Sequence, residues 1–441
     1  MKPPKCKYED KPYWDDSHIQ HTFSCNEFPL SSGLCIFHDR NFLNKTNKSY
    51  ESNANEIRIK FKVKLEKCIE SNSEGLFIGY ILPNLEMENK TITNNMYFMY
   101  SEFVGSIKIT NVHFNKKLTF TSGRFNGTVD FRNCIFNKID FNGNTIFYKN
   151  LHFYKNEFKD VADFSSAEFC QDVHISSNTF REDAGFGYTK YHEEAHFQQQ
   201  RFEKNVSFHF SEFKKEGDFD GTYFSNLFFN ATESNRLVFS NTTFVKLEFR
   251  MSLVETCLFW QSEFLGEVEL SQNMFKLVDF RRCKFQEVID FSKTCFDEVD
   301  FTYALFANAA YFIETKFPGK AFFNYVRFEK PTEVIIQRTN LSNVSFGNTD
   351  LTRINFGDGI VFGDNFILFD ERRLINKEFE EENERSKINL GTVLATYRNL
   401  RENYEFRLKY DEAGKFFIRE MELKRKYKEV DKNDYKKALD I

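Results

Sequence analysis

The residues best suited to chemistry stand near the start of the chain: Cys6, Cys25, Cys35 and His38. Cys35 and His38 form a Cys-x2-His pair, a spacing that lets both side chains reach one ion. Three thiolates and one imidazole make a closed tetrahedral Zn²⁺ site, and such a site stabilises a segment that lacks its own core. The sequence therefore predicts one structural Zn²⁺. A catalytic zinc is not expected, since four protein ligands leave no open position.

Two observations keep an alternative open at this site. The intervals between Cys6, Cys25 and Cys35 are not those of a standard zinc finger, so ordinary buried or free thiols would also account for them. His18 and His21 lie nearby in the sequence, and either could replace one of the four ligands.

The rest of the sequence carries no catalytic pattern. It has no Gly-rich phosphate loop followed by Lys, no nucleophile elbow and no His-Glu-x-x-His motif. His192 and His196 stand four residues apart, but they flank Tyr191 and Phe197 of the repeat described below, so a surface strand or corner is expected there. We expect the chain not to be an enzyme.

Composition restricts the class of protein. Phe occurs 56 times in 441 residues, against 19 Tyr and 2 Trp, which indicates one structural slot that is used many times. The net charge is -5 and no basic stripe could follow a phosphate backbone, so direct nucleic-acid binding is not expected. The 9 scattered cysteines are typical of a reducing compartment and indicate a cytoplasmic protein. Neither a signal peptide nor an apolar run of about 18 residues is visible, so no transmembrane segment is expected.

Aromatic residues form a ladder with steps of five or six positions from Phe114 to Phe362. Neither a helix nor a flat strand has this period, whereas a square coil with one inward side chain per face does. Asn230–Leu237 and Pro331 interrupt the ladder. Two positions before many ladder residues comes a small or β-branched residue, which reads as a second inward slot. Three cysteines fall in that slot and are expected to be small buried hydrophobes: Cys134, Cys257 and Cys283.

The stretch 339–358 consists of four five-residue units: Thr-Asn-Leu-Ser-Asn, Val-Ser-Phe-Gly-Asn, Thr-Asp-Leu-Thr-Arg and Ile-Asn-Phe-Gly-Asp. These units closely resemble the A-(D/N)-(L/F)-X-X repeat of the pentapeptide-repeat family. Residues 110–365 resemble a Phe-rich variant of it, in which extra residues at corners turn some fives into sixes. The resemblance implies a mainly β protein, a right-handed quadrilateral β-helix with four short faces per coil.

The period changes to helical spacing at Thr392, which is a predicted N-cap. Two helices are expected to form an αα-hairpin, with these residues packed between them: Tyr397, Leu400, Tyr404, Tyr410, Ala413 and Phe417. The segment resembles a tetratricopeptide-like hairpin, and also the helices that follow the repeats in some prokaryotic pentapeptide-repeat membrane proteins. A cap on the solenoid and a docking module near a membrane partner are the two interpretations.

The sequence thus predicts four segments. They are a Cys/His segment with the zinc site (1–50), a β-rich N-terminal cap with the first irregular coils (51–110), the pentapeptide-repeat β-solenoid (111–365), and the C-terminal helical hairpin with a basic tail (366–441).

Three functions from different classes are compatible with this organisation. The first is a non-enzymatic protein-interaction or scaffolding solenoid with a protein partner. The second is a cytosolic module that associates with a membrane or channel partner through its C-terminal region. The third is mimicry of duplex DNA against a type II topoisomerase, which some members of the pentapeptide-repeat family perform. That third function requires a continuous acidic face, and the lysines interspersed with the carboxylates disfavour it.

Overall fold

The computed structural model describes residues 5–8, 11–14, 20–375 and 388–439. The chain forms two compact units, residues 1–238 and 239–441, and each is described by itself. Together the units contain about 13 coils of a parallel β-solenoid.

The first unit contains a two-stranded antiparallel sheet, β1 (Lys11–Trp14) with β2 (Gln20–Phe23), and helix α1 (Tyr50–Glu70). Short parallel strands follow. In chain order, strands β3 to β27 are Gly75–Leu76, Ile81–Leu82, Leu85–Glu88, Thr91–Ile92, Met96–Tyr97, Glu102–Phe103, Ile107–Thr110, His113–Thr119, Arg124–Phe125, Val129–Arg132, Ile135–Asp140, Ile146–Phe147, Leu151–Tyr154, Glu157–Phe158, Ala162–Asp163, Glu168–Phe169, Val173–Ser176, Thr179–Phe180, Ala184–Gly185, Lys190–Tyr191, Ala195–His196, Arg201–Ser207, Glu212–Asp218, Tyr223–Phe228 and Glu233–Val238.

Helix α1 was not predicted. The segment 51–110 was expected to be β-rich, and its first twenty or so residues are helical instead. Ile57, Phe61 and Leu65 are buried at helical spacing, and the Phe61 ring packs edge-on against Phe77, with ring centroids 5.0 Å apart. The helix therefore covers the first coil with an apolar stripe of its own.

Coils of the first unit are mostly 21 or 22 residues long, and the hydrogen bond from the Asn156 amide to the Asn178 side chain spans 22. The strands pair in parallel with this offset, so Val129 aligns with Leu151 and Leu151 with Val173. Each inward side chain therefore meets an equivalent side chain one coil later. Phe120 and Phe141 stack with centroids 4.9 Å apart, and Phe125 and Phe147 at 4.7 Å.

The stacked columns form the core. Each buried Phe is worth about 1.5–3 kcal/mol relative to an exposed one, and an aromatic pair adds about 0.5–1.5 kcal/mol. The predicted burial of Cys134, Cys257 and Cys283 in the second inward slot is confirmed. Burial raises the pKa of each of these thiols, which makes them unreactive packing residues.

The six-residue steps come from an extra residue in the coil, as predicted. In β10 the pairing with β13 shifts register between Phe114 and Lys117, and in β24 the pairing with β26 shifts between Phe202 and Asn205. Such bulges bend the strand without moving the inward side chains off the core.

Each coil also contains two residues in the left-handed backbone region, half a coil apart. Examples are Ser122 (φ 57°), Asn133 (φ 51°) and Asn144 (φ 64°). Asn enters this region at low cost, but bulky residues do not. Tyr188 and Phe210 nevertheless occupy it, at φ 58° and 55°. The corner geometry therefore overrides the local preference of these side chains.

The second unit has the same strand pattern, with coils of 20 to 24 residues. In chain order, strands β28 to β42 are Thr243–Glu248, Leu253–Leu258, Glu263–Phe264, Val268–Glu269, Met274–Asp279, Lys284–Phe285, Ile289–Asp290, Cys295–Asp300, Leu305–Phe306, Ala310–Ile313, Ala321–Phe322, Arg327–Phe328, Val334–Gln337, Val344–Ser345 and Asn355–Phe356.

Both interruptions of the sequence ladder have a structural explanation. In Asn230–Leu237 the coil is regular, but Ser234 occupies the aromatic slot and aligns with Phe213. Phe229, which the ladder omitted, is fully buried. At Pro331 a 3-10 helix (Pro331–Glu333) inserts before β40, and the coil then resumes.

The predicted C-terminal hairpin is present as α3 (Leu390–Phe406) and α4 (Tyr410–Leu439), preceded by α2 (Phe369–Ile375). The N-cap is Asn389, whose side chain accepts a hydrogen bond from the Thr392 amide, so the prediction of Thr392 as the cap was wrong. Of the described residues, no helix is both long and apolar enough to cross a membrane.

The hairpin interface differs from the prediction at two positions. Tyr397, Leu400, Tyr404 and Ala413 are buried as expected. Tyr410 is 65% exposed and Phe417 is 45% exposed, and Phe416 is buried instead. Helical spacing alone could not decide between Phe416 and Phe417, because the turn before α4 sets the rotation of the helix.

Helix α3 closes the last coil through its polar side chains. Asn403 is fully buried, and its Nδ2 donates to the carbonyl oxygens of Leu351 and Ile354, at 2.6 and 2.9 Å. Asn399 donates to the Thr349 carbonyl at 3.1 Å. These amides satisfy backbone acceptors that have no further coil to pair with.

Tyr191 offers a test of the aromatic columns. Its ring stacks between Phe169 and Phe213, and within the described residues its buried hydroxyl makes no hydrogen bond of normal geometry, with the Thr189 side chain as its polar neighbour. An unsatisfied buried polar group costs about 1–3 kcal/mol. We therefore expect Tyr191→Phe to raise the free energy of unfolding by about 1 kcal/mol, measured by denaturant titration.

The matched control for this substitution is Tyr80→Phe. The Tyr80 hydroxyl accepts a hydrogen bond from Lys64 Nζ at 2.6 Å, so its removal should destabilise the protein. A loss of stability in Tyr191→Phe would contradict the assignment of an unsatisfied hydroxyl.

Asn403 tests the C-terminal cap. Asn403→Ala removes one donor from each of the Leu351 and Ile354 carbonyls, which keep the Ile354 amide and Arg407 Nη2 as their respective donors. The loss of two buried hydrogen bonds should cost about 2 kcal/mol, seen as faster hydrogen exchange in the amides of residues 339–356. Asn399→Ala removes one half-buried hydrogen bond and should cost about 1 kcal/mol or less. Equal effects of the two substitutions would show that Asn403 has no special role.

Candidate metal centre

The four residues of the predicted zinc site come from three separate segments of the first unit. Cys6 lies in the described segment 5–8, Cys25 follows β2, and Cys35 and His38 belong to one turn closed by the hydrogen bond from the His38 amide to the Cys35 carbonyl, at 3.0 Å. The Cys6 amide donates to the Glu27 carbonyl at 3.2 Å. Backbone hydrogen bonds thus bring the segments together.

All four side chains are buried, and their ligand atoms lie within 4.8 Å of one another. Cys25 Sγ and Cys35 Sγ are 3.8 Å apart. His38 Nδ1 lies 3.2 Å from Cys35 Sγ and 3.5 Å from Cys6 Sγ. The structure therefore brings together every residue that the sequence predicted for the site.

These separations match those of a tetrahedral zinc site. With bonds of about 2.3 Å to sulfur and about 2.0–2.1 Å to nitrogen, tetrahedral angles require about 3.8 Å between two sulfurs and about 3.6 Å between sulfur and nitrogen. Three of the six separations, at 3.8, 3.5 and 3.2 Å, fall within about 0.4 Å of these values, and all six lie within 4.8 Å. The cluster is therefore of a size that could hold one metal ion.

The orientation of His38 supports the same conclusion. Its Nε2 lies 3.0 Å from the carbonyl oxygen of Ile78, so Nε2 carries the proton and donates it there. The Nδ1 lone pair then faces the Cys6 and Cys35 thiols, which lie within hydrogen-bond distance of it. Metal-bound histidines usually donate their second ring nitrogen to a carbonyl or carboxylate in this way, and the contact also joins the site to the first coil.

The thiols share protons at close range. A hydrogen bond from the Cys35 thiol, with His38 close by, lowers the pKa of Cys25, and the same hydrogen bond and burial raise the pKa of Cys35. The Cys35 amide also donates to Cys6 Sγ at 3.2 Å. A divalent ion at the centre would replace the shared proton and stabilise the thiolates together.

Aromatic rings enclose the centre. Tyr8 stacks on the His38 imidazole with centroids 3.9 Å apart, and Tyr80 meets the same ring edge-on at 5.2 Å. Phe37 stacks on Tyr80 at 4.6 Å, and its carbonyl accepts the amide hydrogen of Ile81 in β4 at 2.7 Å. The centre is therefore shielded from solvent and attached to the solenoid.

Sequence reasoning missed these supporting residues. Tyr8 and Tyr80 lie far apart along the chain, and no spacing links them to His38. Of the alternative ligands, His18 lies outside the described residues, and so does the side chain of His21. His192 bonds Glu168 through Nε2 at 2.8 Å, consistent with the surface position expected for it.

Comparison with known proteins adds no homologue. No protein-family model matches the chain, and no curated protein matches it either.

Metal analysis tests the centre directly. We expect about one zinc per chain in untagged protein, and its loss in Cys35→Ser and His38→Gln, because each substitution removes one of four ligands. Cys170→Ser, at a half-buried thiol outside the centre, is the matched control and should keep the metal. A metal-free protein, or equal metal in all variants, would leave the cysteines as ordinary buried thiols.

Proposed function

We propose that this chain is a non-enzymatic protein-interaction solenoid of the pentapeptide-repeat type. One structural Zn²⁺ holds its N-terminal segment, and a protein partner binds an exposed apolar patch on the second unit. The exposed apolar patch is the observation on which this proposal depends.

The patch is centred on Leu253 and Met274, and Met251 and Leu277 are exposed close to them along the chain. Leu253 aligns with Met274 across β29 and β32, and Leu253 is 50% exposed and Met274 60% exposed. Isolated exposed apolar residues are common, but contiguous ones mark interaction sites. Methionine adapts to varied partner surfaces and is frequent where proteins bind other proteins.

An ion pair next to the patch provides polar groups at its edge. Lys276 Nζ and Glu255 Oε2 are 2.8 Å apart, and both side chains are more than half exposed. A partner can therefore exchange hydrogen bonds with this pair while its apolar residues cover Leu253 and Met274. An apolar centre with a polar rim is the usual anatomy of such an interface.

The division between the two sides of each strand supports a binding role. Inward positions repeat the same Phe or small residue in coil after coil and are used for packing. Outward positions are more varied, as in the aligned series Leu253, Met274 and Cys295. The five-residue units at 339–358 and the bulged six-residue steps support membership of the pentapeptide-repeat type.

The geometry of the N-terminal centre supports the proposed Zn²⁺, and the free cysteines support the proposed cytoplasmic location. Its tetrahedral spacing and the Nε2 contact of His38 suit Zn²⁺. All 9 cysteines are free thiols, as in a reducing compartment.

The arrangement of charges disfavours mimicry of DNA. The acidic column Glu248, Glu269 and Asp290 ends at Tyr311 in the next coil. Arg250 pairs with both Glu248 and Glu269. A duplex presents an unbroken series of phosphates, and this column is too short and too neutral to imitate one.

The C-terminal hairpin gives the second candidate function, a module that associates with a membrane or channel partner. Phe406, Leu408 and Tyr410 are exposed at the turn between α3 and α4. Flotation with anionic liposomes tests it, with Leu408→Ser as the variant expected to lose binding. Recovery in the lipid fraction no greater than that of a soluble control would exclude direct lipid contact.

The partner surface is tested by affinity capture from a lysate of the source cells, with quantitative mass spectrometry. Proteins retained by the wild type should fall at least about tenfold with Leu253→Lys/Met274→Lys, because burying a lysine in an apolar interface is unfavourable. Leu265→Lys, at an exposed leucine outside the patch, should retain them. The same set of captured proteins for all three would exclude this surface.

A further inference from the structure

Three histidines form a column on one outward face of the first unit. His152, His174 and His196 occupy equivalent positions of β15, β19 and β23, and the parallel register aligns each with the next. The rings of His152 and His174 stack with centroids 4.9 Å apart, and those of His174 and His196 at 5.0 Å. The chain has 9 histidines, so one third of them share this column.

A carboxylate stands two residues before each of the last two histidines. Asp172 precedes His174 and Glu194 precedes His196, and residues two apart point to the same face of a strand. The Val173 amide donates to the Glu194 carbonyl at 2.9 Å, so the two carboxylates also occupy equivalent positions of neighbouring coils. Asp172 and Glu194 each lie one residue before a strand, so two imidazoles and two carboxylates lie on neighbouring coils of this face.

One pair of these groups already has ligand spacing. His196 Nε2 and Glu194 Oε2 are 3.3 Å apart, which is the separation of two ligands bound to one ion at about 2.0–2.2 Å with an angle near tetrahedral. The His196 side chain is 23% exposed, so an ion can reach it from solvent. On the opposite side of the ring, Nδ1 faces Asp218 Oδ2 at 3.8 Å, which can orient the imidazole.

We propose that His174, His196, Asp172 and Glu194 form a second metal site, which binds a divalent transition-metal ion such as Zn²⁺ or Co²⁺ reversibly. Two imidazoles with two carboxylates are a ligand set that suits ions of this class. The site shares no residue with the Cys/His centre and does not depend on the proposed partner surface.

Binding requires one local movement. In the stack the rings of His174 and His196 are nearly parallel, 11° apart, so their nitrogen lone pairs do not converge. Both rings must turn about their side-chain bonds to share an ion. Both lie on the outer face of the strands, where rotation disturbs no inward column.

The test is titration of the purified full chain with Co²⁺ and Zn²⁺, after labile ions are removed by dialysis against a weak chelator. Absorption spectroscopy separates the two sites, since Co²⁺ bound by thiolates gives intense sulfur-to-metal charge-transfer bands and Co²⁺ bound by nitrogen and oxygen does not. We expect one equivalent of the second kind. Its affinity should fall more than about tenfold in His174→Asn/His196→Asn.

Two further variants make the result decisive. Asp172→Asn/Glu194→Gln keeps the imidazole stack and should weaken the same equivalent, whereas His113→Asn, at another outward histidine on β10, should leave it unchanged. The proposal is overturned if the wild type binds no equivalent beyond any thiolate-bound ion. It is also overturned if folded His174→Asn/His196→Asn protein, checked by circular dichroism, binds as the wild type does.

Discussion

The solenoid depends on one constraint: each coil must return the chain to the position where its inward side chains lie on those of the coil before. Phe125 lies between Phe103 and Phe147, with ring centroids 5.2 and 4.7 Å away. A slip of one residue in a strand would turn its inward side chains to solvent. The left-handed corner residues and the bulges are the means by which coils of 20 to 24 residues all meet this constraint.

The same constraint explains the polar residues inside the coils. Asn156 and Asn178 occupy an inward slot, and each side chain donates at 3.0 Å to the carbonyl oxygen of a core phenylalanine, Phe131 and Phe153 respectively. Buried polar groups are tolerated when they are paired. These side-chain amides donate to backbone carbonyls at corners, where the chain leaves the strands. Polar side chains therefore stabilise the backbone inside an otherwise apolar core.

Several features of the fold could be predicted from sequence because they repeat. Phe120, Phe125 and Phe131 recur with a period that only a coil explains, and an extra residue at a bulge changes a step without hiding the series. Ser234 interrupted the predicted ladder because it is not aromatic. Only its alignment with Phe213 in the neighbouring coil shows that it occupies the aromatic slot. Helix α1 was missed because its buried residues, Ile57, Phe61 and Leu65, are few among charged neighbours.

The candidate site was predictable to a different degree. Side-chain chemistry was sufficient to select Cys6, Cys25, Cys35 and His38, since thiols and imidazoles are the ligands zinc prefers. The contact of His38 with the Ile78 carbonyl depends on how the N-terminal segment lies against the first coil, which no local pattern encodes. The histidine column was overlooked because its members are one coil apart in the sequence. Residues at that separation can be recognised as neighbours only when the number of residues per coil is known.

The side chains of α3 that bind the carbonyls of the last coil have a consequence for solubility. A terminal coil is an open strand edge, and open edges pair readily with other chains. Asn403 and Asn399 occupy acceptors that a second molecule would otherwise use to continue the stack. The hairpin therefore ends growth of the array, and without it the molecule would carry a template for end-to-end fibres.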